Sequence, residues 1–104
     1  MSGTNEKFIL DGHTPISCPN LLIWAEWLER SDRCVAVSVM SNCCISTVFM
    51  GLDHSFGFGN RPILFETMIF GGPEDGYQTR CSTWEEAEEQ HALAKTLIIE
   101  GGSK

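Results

Sequence analysis

The chain predicts an α+β fold: a four-stranded antiparallel meander with an N-terminal hairpin and two helices, the C-terminal helix packed on the sheet. Three observations carry this. Strand periodicity rich in β-branched residues runs from Cys34 to Met50 and again from Ile63 to Cys81, interrupted by turn-forming residues. Two stretches of helical periodicity follow good N-cap residues, Asn20 and Ser82. The dipeptide Asp11-Gly12 separates two short extended pieces, as in a hairpin. A length of 104 residues suits one domain, 1–104, with one core.

The hairpin comprises Lys7 to Leu10 and Thr14 to Ser17. Asn20 then caps a helix over Leu21 to Ser31, and at about 100° per residue Leu21, Trp24, Ala25 and Leu28 share its inner face. Ile23 and Trp27 lie on the flank beside Glu26 and Arg30. They either pack beneath a neighbouring loop or form an exposed apolar pair, open to another protein or to a second copy of the chain.

Val35, Val37 and Val39 alternate with Ala36 and Ser38, so a strand over Cys34–Met40 should carry its β-branched side chains on one face. Ser41-Asn42 supplies a two-residue turn into a strand over Cys43–Met50. The strand Ile63–Phe70 is apolar on both faces except at Glu66 and Thr67, which predicts a central position with helix on one side. Pro73-Glu74-Asp75-Gly76 fits a type I turn, and Tyr77–Cys81 returns as the last strand. Ser82 opens the final helix as Ser-x-x-Glu, a capping box with Glu85, and the glutamates that follow suit the positive end of the helix dipole. Trp84, Ala87, His91, Ala94 and Ile98 form one stripe, which should face the sheet.

Composition bounds the function. Apolar residues make up 42% and charged residues 20%, the balance of a folded chain. A net charge of -7 with only seven basic residues argues against nucleic acid as a direct ligand. Half of the fourteen acids lie between Glu66 and Glu89, where Arg80 is the sole basic residue, which predicts one negative end. Glu74, Asp75, Glu85, Glu86 and Glu89 are the candidate contacts there for a basic partner. Met1-Ser2-Gly3 begins no signal peptide and no apolar run approaches the roughly 20 residues of a membrane span, so a soluble, cytoplasmic protein is expected. Five cysteines, an odd number, suit a reducing compartment; none are spaced as Cys-x-x-Cys, and Cys34, Cys43 and Cys44 read as apolar filler.

Chemistry-bearing residues are sparse. Asp53, His54, Glu66 and His91 would make a metal or acid-base set if they converged, the basis for an alternative as a small enzyme or ligand-binding protein. Against it, Asp53 suits a turn, His54 a backbone hydrogen bond, and His91 the helix stripe. The glycines of the 51–59 loop match neither a phosphate loop nor a dinucleotide fingerprint. Phe56 and Phe58 in that loop are instead candidate binding anchors. Cys81 and His91 stand ten residues apart across a helix start, a pairing of nucleophile and base without the expected context. No catalytic residue, cofactor or metal is assigned.

Ser46-Thr47-Val48-Phe49-Met50-Gly51-Leu52-Asp53-His54, Leu64-Phe65-Glu66-Thr67-Met68-Ile69-Phe70-Gly71-Gly72, and Thr83-Trp84-Glu85-Glu86-Ala87 with His91 resemble a family of small, mostly uncharacterised proteins encoded by bacteriophages and prophages. The resemblance covers most of the chain and brings no catalytic residues. It implies a phage origin and a role in modulating host machinery. The expectation that follows is a stoichiometric inhibitor of a bacterial defence complex, of anti-CRISPR type, occluding a basic surface with its acidic end. A regulatory or structural accessory role in the phage is the other option.

Overall fold

The computed structural model describes residues 6–55 and 59–102. β1 (Phe8–Asp11) and β2 (Thr14–Ser17) pair antiparallel as the expected hairpin, with Gly12 at the positive φ of 63° that its tight turn requires. α1 (Leu21–Arg30) starts where the Asn20 side chain accepts the Ile23 amide at 3.0 Å. β3 (Cys34–Val39), β4 (Cys44–Phe49), β5 (Phe65–Phe70) and β6 (Gln78–Cys81) follow as one antiparallel sheet in chain order, and α2 (Trp84–Gly102) lies on its inner face. This is the meander the sequence predicts, with β5 in a central position.

The turns show how the register is set. The Met40 amide bonds the Cys43 carbonyl at 2.8 Å, closing Ser41-Asn42 as a two-residue turn. Between β5 and β6 the Asp75 amide bonds Gly72 and the Tyr77 amide bonds Glu74, so the expected single turn at Pro73–Gly76 is instead two overlapping turns. Pro73 takes the second place of the first, where its fixed φ belongs. Gly71, at φ 87°, lets the chain pass the Asn42 carbonyl, which a Cβ would meet at 2.8 Å.

Strand alternation puts Ile45, Thr47 and Phe49 of β4, and Phe65, Thr67 and Ile69 of β5, on the inner face beneath α2. The core therefore comes in two apolar clusters. Phe49, Leu64, Phe65, Cys81 and Ala87 make the first, closed by Phe8, Leu10, Trp27, Val35 and Trp84. Cys43, Ile45, Ile69 and Ala94 make the second, closed by Met40, Tyr77, Leu97 and Ile98. The predicted stripe of α2 faces the sheet across both. The outer face, bearing Val37, Val39, Met68 and Phe70, has no helix over it among the described residues.

Four expectations are corrected. A bulge between Cys34 and Ala36 turns Val35 into the core and leaves Val37 and Val39 outside, so the three valines do not share a face. The same bulge leaves Cys34 exposed rather than packed. In α1 the inner residues are Trp24, Trp27 and Leu28, while Leu21 and Ala25 are exposed, because the helix docks on the chain leaving β4. There Trp24 Nε1 bonds the Gly51 carbonyl at 3.1 Å and Trp27 meets Phe49 edge-on at 5.7 Å. The capping box of α2 lies one residue later than predicted. Thr83 Oγ1 accepts the Glu86 amide at 3.1 Å, and Glu86 accepts the Thr83 amide at 3.2 Å and the Ser82 amide at 3.1 Å.

The cap gives a direct check. Thr83→Ala should lower stability by about 1 kcal/mol in a thermal or urea melt, and Ser82→Ala, which removes no capping acceptor, should cost clearly less. Equal effects would place the cap elsewhere.

Candidate functional site

Between the two apolar clusters lies a polar layer. His91 stands one turn after Ala87 and one turn before Ala94 on the inner stripe of α2, which brings its ring down on the middle row of the sheet. There His91 Nδ1 shares a hydrogen bond with Thr47 Oγ1 at 2.7 Å, Thr47 Oγ1 with Thr67 Oγ1 at 2.8 Å, and His91 Nε2 with Ser38 Oγ at 2.9 Å. The row continues on β6 to Thr79, whose buried Oγ1 has no hydrogen-bond partner among the described residues. Burial, and then the nearby Lys95 charge, hold the His91 imidazole below its ordinary value of 6.5. Both ring nitrogens are thus occupied by hydroxyls inside the core, an arrangement that suits a neutral structural histidine.

The other residues of the proposed set lie apart from it. Asp53 Oδ1 accepts the Ser55 amide at 2.8 Å and the Ile63 amide at 3.0 Å, pinning the two ends of the 53–63 loop. Burial pushes the Asp53 carboxyl up, but those two amides, together with the Ser55 side chain and His54, outweigh it and leave it below its usual range. His54 Nδ1 lies 2.9 Å from the Leu52 carbonyl. Glu66 points to the outer face of β5, where it accepts from Gln78 and pairs with Arg80 at 3.1 Å. Glu66 and His91 therefore stand on opposite faces of one sheet. Among the described residues, no group of three or more His, Cys, Asp or Glu is placed to hold a metal ion.

Cys81 is no better placed as a nucleophile. Its thiol bonds the Thr83 carbonyl at 3.7 Å, and burial, with the Glu86 charge, pushes it up to about 11. The groove beside it has a volume of about 390 Å³, but both of its arginines are already paired: Arg61 bonds Glu86 at 2.7 Å and Arg80 is held by Glu66. That Arg61 ion pair, together with the Ser82 amide, holds the Glu86 carboxyl below its usual range. A second cleft, between Asn42, Cys43, Gly71, Glu74 and Ile98, measures about 130 Å³, short of the roughly 300 Å³ of a small-ligand pocket.

What remains is surface, and the acids divide differently from the expectation. Glu85, Glu86 and Glu89 lie in the first turns of α2, while Glu74 is beside Gly101 near its other end, separated by about 24 Å of helix. There is no single negative end. Asp75 is spent on the Gly71 amide at 2.6 Å and Glu86 on the cap and Arg61. Glu85, Glu88 and Glu89 are exposed along the start of α2. In α1 the helical wheel misplaced Leu21: Leu21, Leu22 and Ile23 are 60%, 79% and 57% exposed in its first turn, and Ile16 on β2 is exposed as well. Ile23 is thus exposed, as one of the two options had it, but without Trp27, which is packed. Phe56 and Phe58 lie outside the described residues. No helix among the described residues is long and apolar enough to cross a membrane.

No family model, curated protein or solved structure matches the chain.

The polar layer makes stability depend on pH. Because the folded His91 binds its proton more weakly than the unfolded one, its contribution is complete above about pH 6.5 and is lost as pH falls below that value. Asp53 and Glu86, both depressed, add a second loss as pH falls past the ordinary carboxylate range. Urea midpoints should therefore drop between pH 7.5 and 5.5, and His91→Gln should be less stable at pH 7.5 by about 1–3 kcal/mol yet flatter across that interval. A variant with the same slope as the wild type would remove His91 as the cause.

Proposed function

We propose that the chain acts by stoichiometric protein binding, as an inhibitor of a bacterial defence complex of the anti-CRISPR type that the phage resemblance implies, without catalysis of its own. The observation that carries this reading is the exposed run Leu21-Leu22-Ile23 at the start of α1. Three large apolar side chains in one exposed turn are costly in water and are a common mark of a partner surface. The placement of the polar residues agrees: Asp53, Glu66, Cys81 and His91 are each engaged in holding the fold.

The acidic start of α2 supplies the electrostatic half. α1 docks on the chain leaving β4, and the β1–β2 turn reaches the start of α2, where His13 stacks on Trp84 at 3.7 Å with the rings 4° from parallel. Trp27 of α1 and Trp84 at the start of α2 also pack against the same apolar cluster, so the two helices meet the sheet at one end. An apolar anchor flanked by acids fits a host protein or nucleoprotein complex with a basic surface: the acids steer the encounter and the apolar turn holds it. Glu74 and Asp75, at the other end of α2, have no part in this contact.

Purified protein should capture a basic complex from lysate of the natural host and block its activity at equimolar ratio. Leu22→Glu should weaken capture by about tenfold or more, through faster dissociation. Reversing Glu85, Glu88 and Glu89 to lysine, with the capping Glu86 left in place, should slow association and flatten its salt dependence. Binding indifferent to both sets of changes, in variants with unchanged melts, would sink this reading.

A further inference from the structure

The sheet has an open edge at β3, the first strand in the order β3-β4-β5-β6, paired on one side only among the described residues. Edge strands are commonly blunted by charge, proline or a bulge. From Cys34 to Leu52 the chain has neither a charged residue nor a proline. The bulge lies at the start of the strand, between Cys34 and Ala36, and leaves the rest regular. On the outer face of that regular part, Val37 and Val39 are 55% and 80% exposed.

The ladder shows which backbone groups are open. Met40 and Cys43 form a hydrogen-bonded pair, closed by the Met40 amide. Antiparallel pairs alternate, so Ser38/Ile45 is hydrogen-bonded, whereas Val37/Ser46 and Val39/Cys44 are not. The amides and carbonyls of Val37 and Val39 therefore point away from β4, out of the sheet edge.

We propose that a second copy of this chain occupies the edge, β3 against β3, antiparallel about a twofold axis through Ser38. In this register Val37 of each copy faces Val39 of the other, and each pair exchanges both backbone hydrogen bonds because both residues present outward-facing groups. Neighbouring registers fail: centring on Val37 sets Val39 opposite the bulged Val35, and centring on Val39 sets Val37 opposite Ser41 in the turn. The bulge and the turn select one self-complementary register.

Charge favours the same occupant. On a chain of net charge -7, two copies repel except where they meet through a neutral surface, and β3 is neutral. The outer face carries Glu66 and Arg80, which are paired with each other on the far strands. The twofold axis also sends the two acidic starts of α2 to opposite ends of the joined sheet. The apolar outer row Phe70–Cys44–Val39 then runs into Val37–Ser46–Met68 of the second copy. A strand-to-strand contact buries less than about 1,200 Å², the class of transient association, so the dimer should depend on concentration.

Sedimentation equilibrium in reducing buffer, from about micromolar to millimolar protein, tests this; the reductant excludes a disulfide through exposed Cys34. The mass should rise from 11.6 kDa toward twice that value. Val39→Pro removes an amide directed only at the open edge, and Val37→Lys charges the interface; each should weaken dimerisation by about tenfold or more with unchanged circular dichroism. Leu22→Glu, in the separate surface used under the functional reading, should leave the dimer intact. Monomeric mass throughout, a dimer that survives both β3 substitutions, or one abolished by Leu22→Glu would overturn the proposal. Where Val39→Pro disturbs the fold, hydrogen exchange of the Val37 and Val39 amides decides: protection that grows with concentration supports β3 pairing, and exchange independent of concentration overturns it.

Discussion

The fold depends on a polar layer set between two apolar ones. Along β4 and β5 the inner rows read Phe49 and Phe65, then Thr47 and Thr67, then Ile45 and Ile69; along α2 the matching positions are Ala87, His91 and Ala94. Two strand residues advance about 6.6 Å and a helical turn about 5.4 Å, so the three rows and three turns stay close to register. Apolar packing alone would tolerate a shift of α2 by one turn. The hydroxyls do not, because His91 would then face an apolar row and lose its bonds to Ser38 and Thr47, at about 1–3 kcal/mol per orphaned group. His91 is bonded to β3 and β4 at once, through Ser38 and Thr47, and so fixes α2 against two strands. The network turns a generally sticky interface into one with a single alignment.

Much of this architecture was legible because it is local. The strand alternation, Ser41-Asn42, the Asn20 cap and the α2 stripe each follow from spacing that tertiary contacts had no cause to override. The misses have physical reasons. Ser82–Glu85 and Thr83–Glu86 both satisfy a capping box, and the choice rests on where β6 delivers the chain. Nothing in Val35-Ala36-Val37 announces a bulge, since all three suit either face of a strand. In α1, Leu21 and Trp27 exchanged roles because Gly51 leaves room for Trp24 and Leu28 to come close, a feature of a distant segment. Glu74 and Glu85 stand only eleven positions apart in sequence, yet the length of α2 separates the regions they occupy.

The candidate site was legible mainly by exclusion. Asp53, Glu66, Cys81 and His91 have the functional groups of an acid-base or metal site, but each holds a different part of the fold. Asp53 closes a loop, Glu66 pairs across β5 and β6, Cys81 fills the first cluster and His91 locks α2. Spacing does not reveal such use, because it depends on which face of a strand each residue occupies. Glu66 and Thr67 are adjacent, and that single step puts one on the outer face and the other in the hydroxyl row beneath His91. The exposure of Leu21 was hidden from the helical wheel for the converse reason, since amphipathic periodicity assumes that the most apolar face is the packed one.

The two proposed surfaces have a joint consequence. α1 docks at the end of the sheet where β4 finishes and α2 starts. A twofold axis through Ser38 reverses strand direction, so pairing two copies through β3 places their α1 turns and acidic helix starts at opposite ends of one continuous sheet. Such a dimer presents the same anchor twice at a fixed spacing. Against a target with repeated subunits, the second engagement becomes intramolecular and gains from effective concentration without any new contact, provided the spacing matches. Against a target with one site the second anchor adds nothing, and the weak strand pairing lets the copies separate. Dimerisation through β3 would thus select among targets by their geometry, while affinity for a single site would stay with the Leu21-Leu22-Ile23 turn and the start of α2.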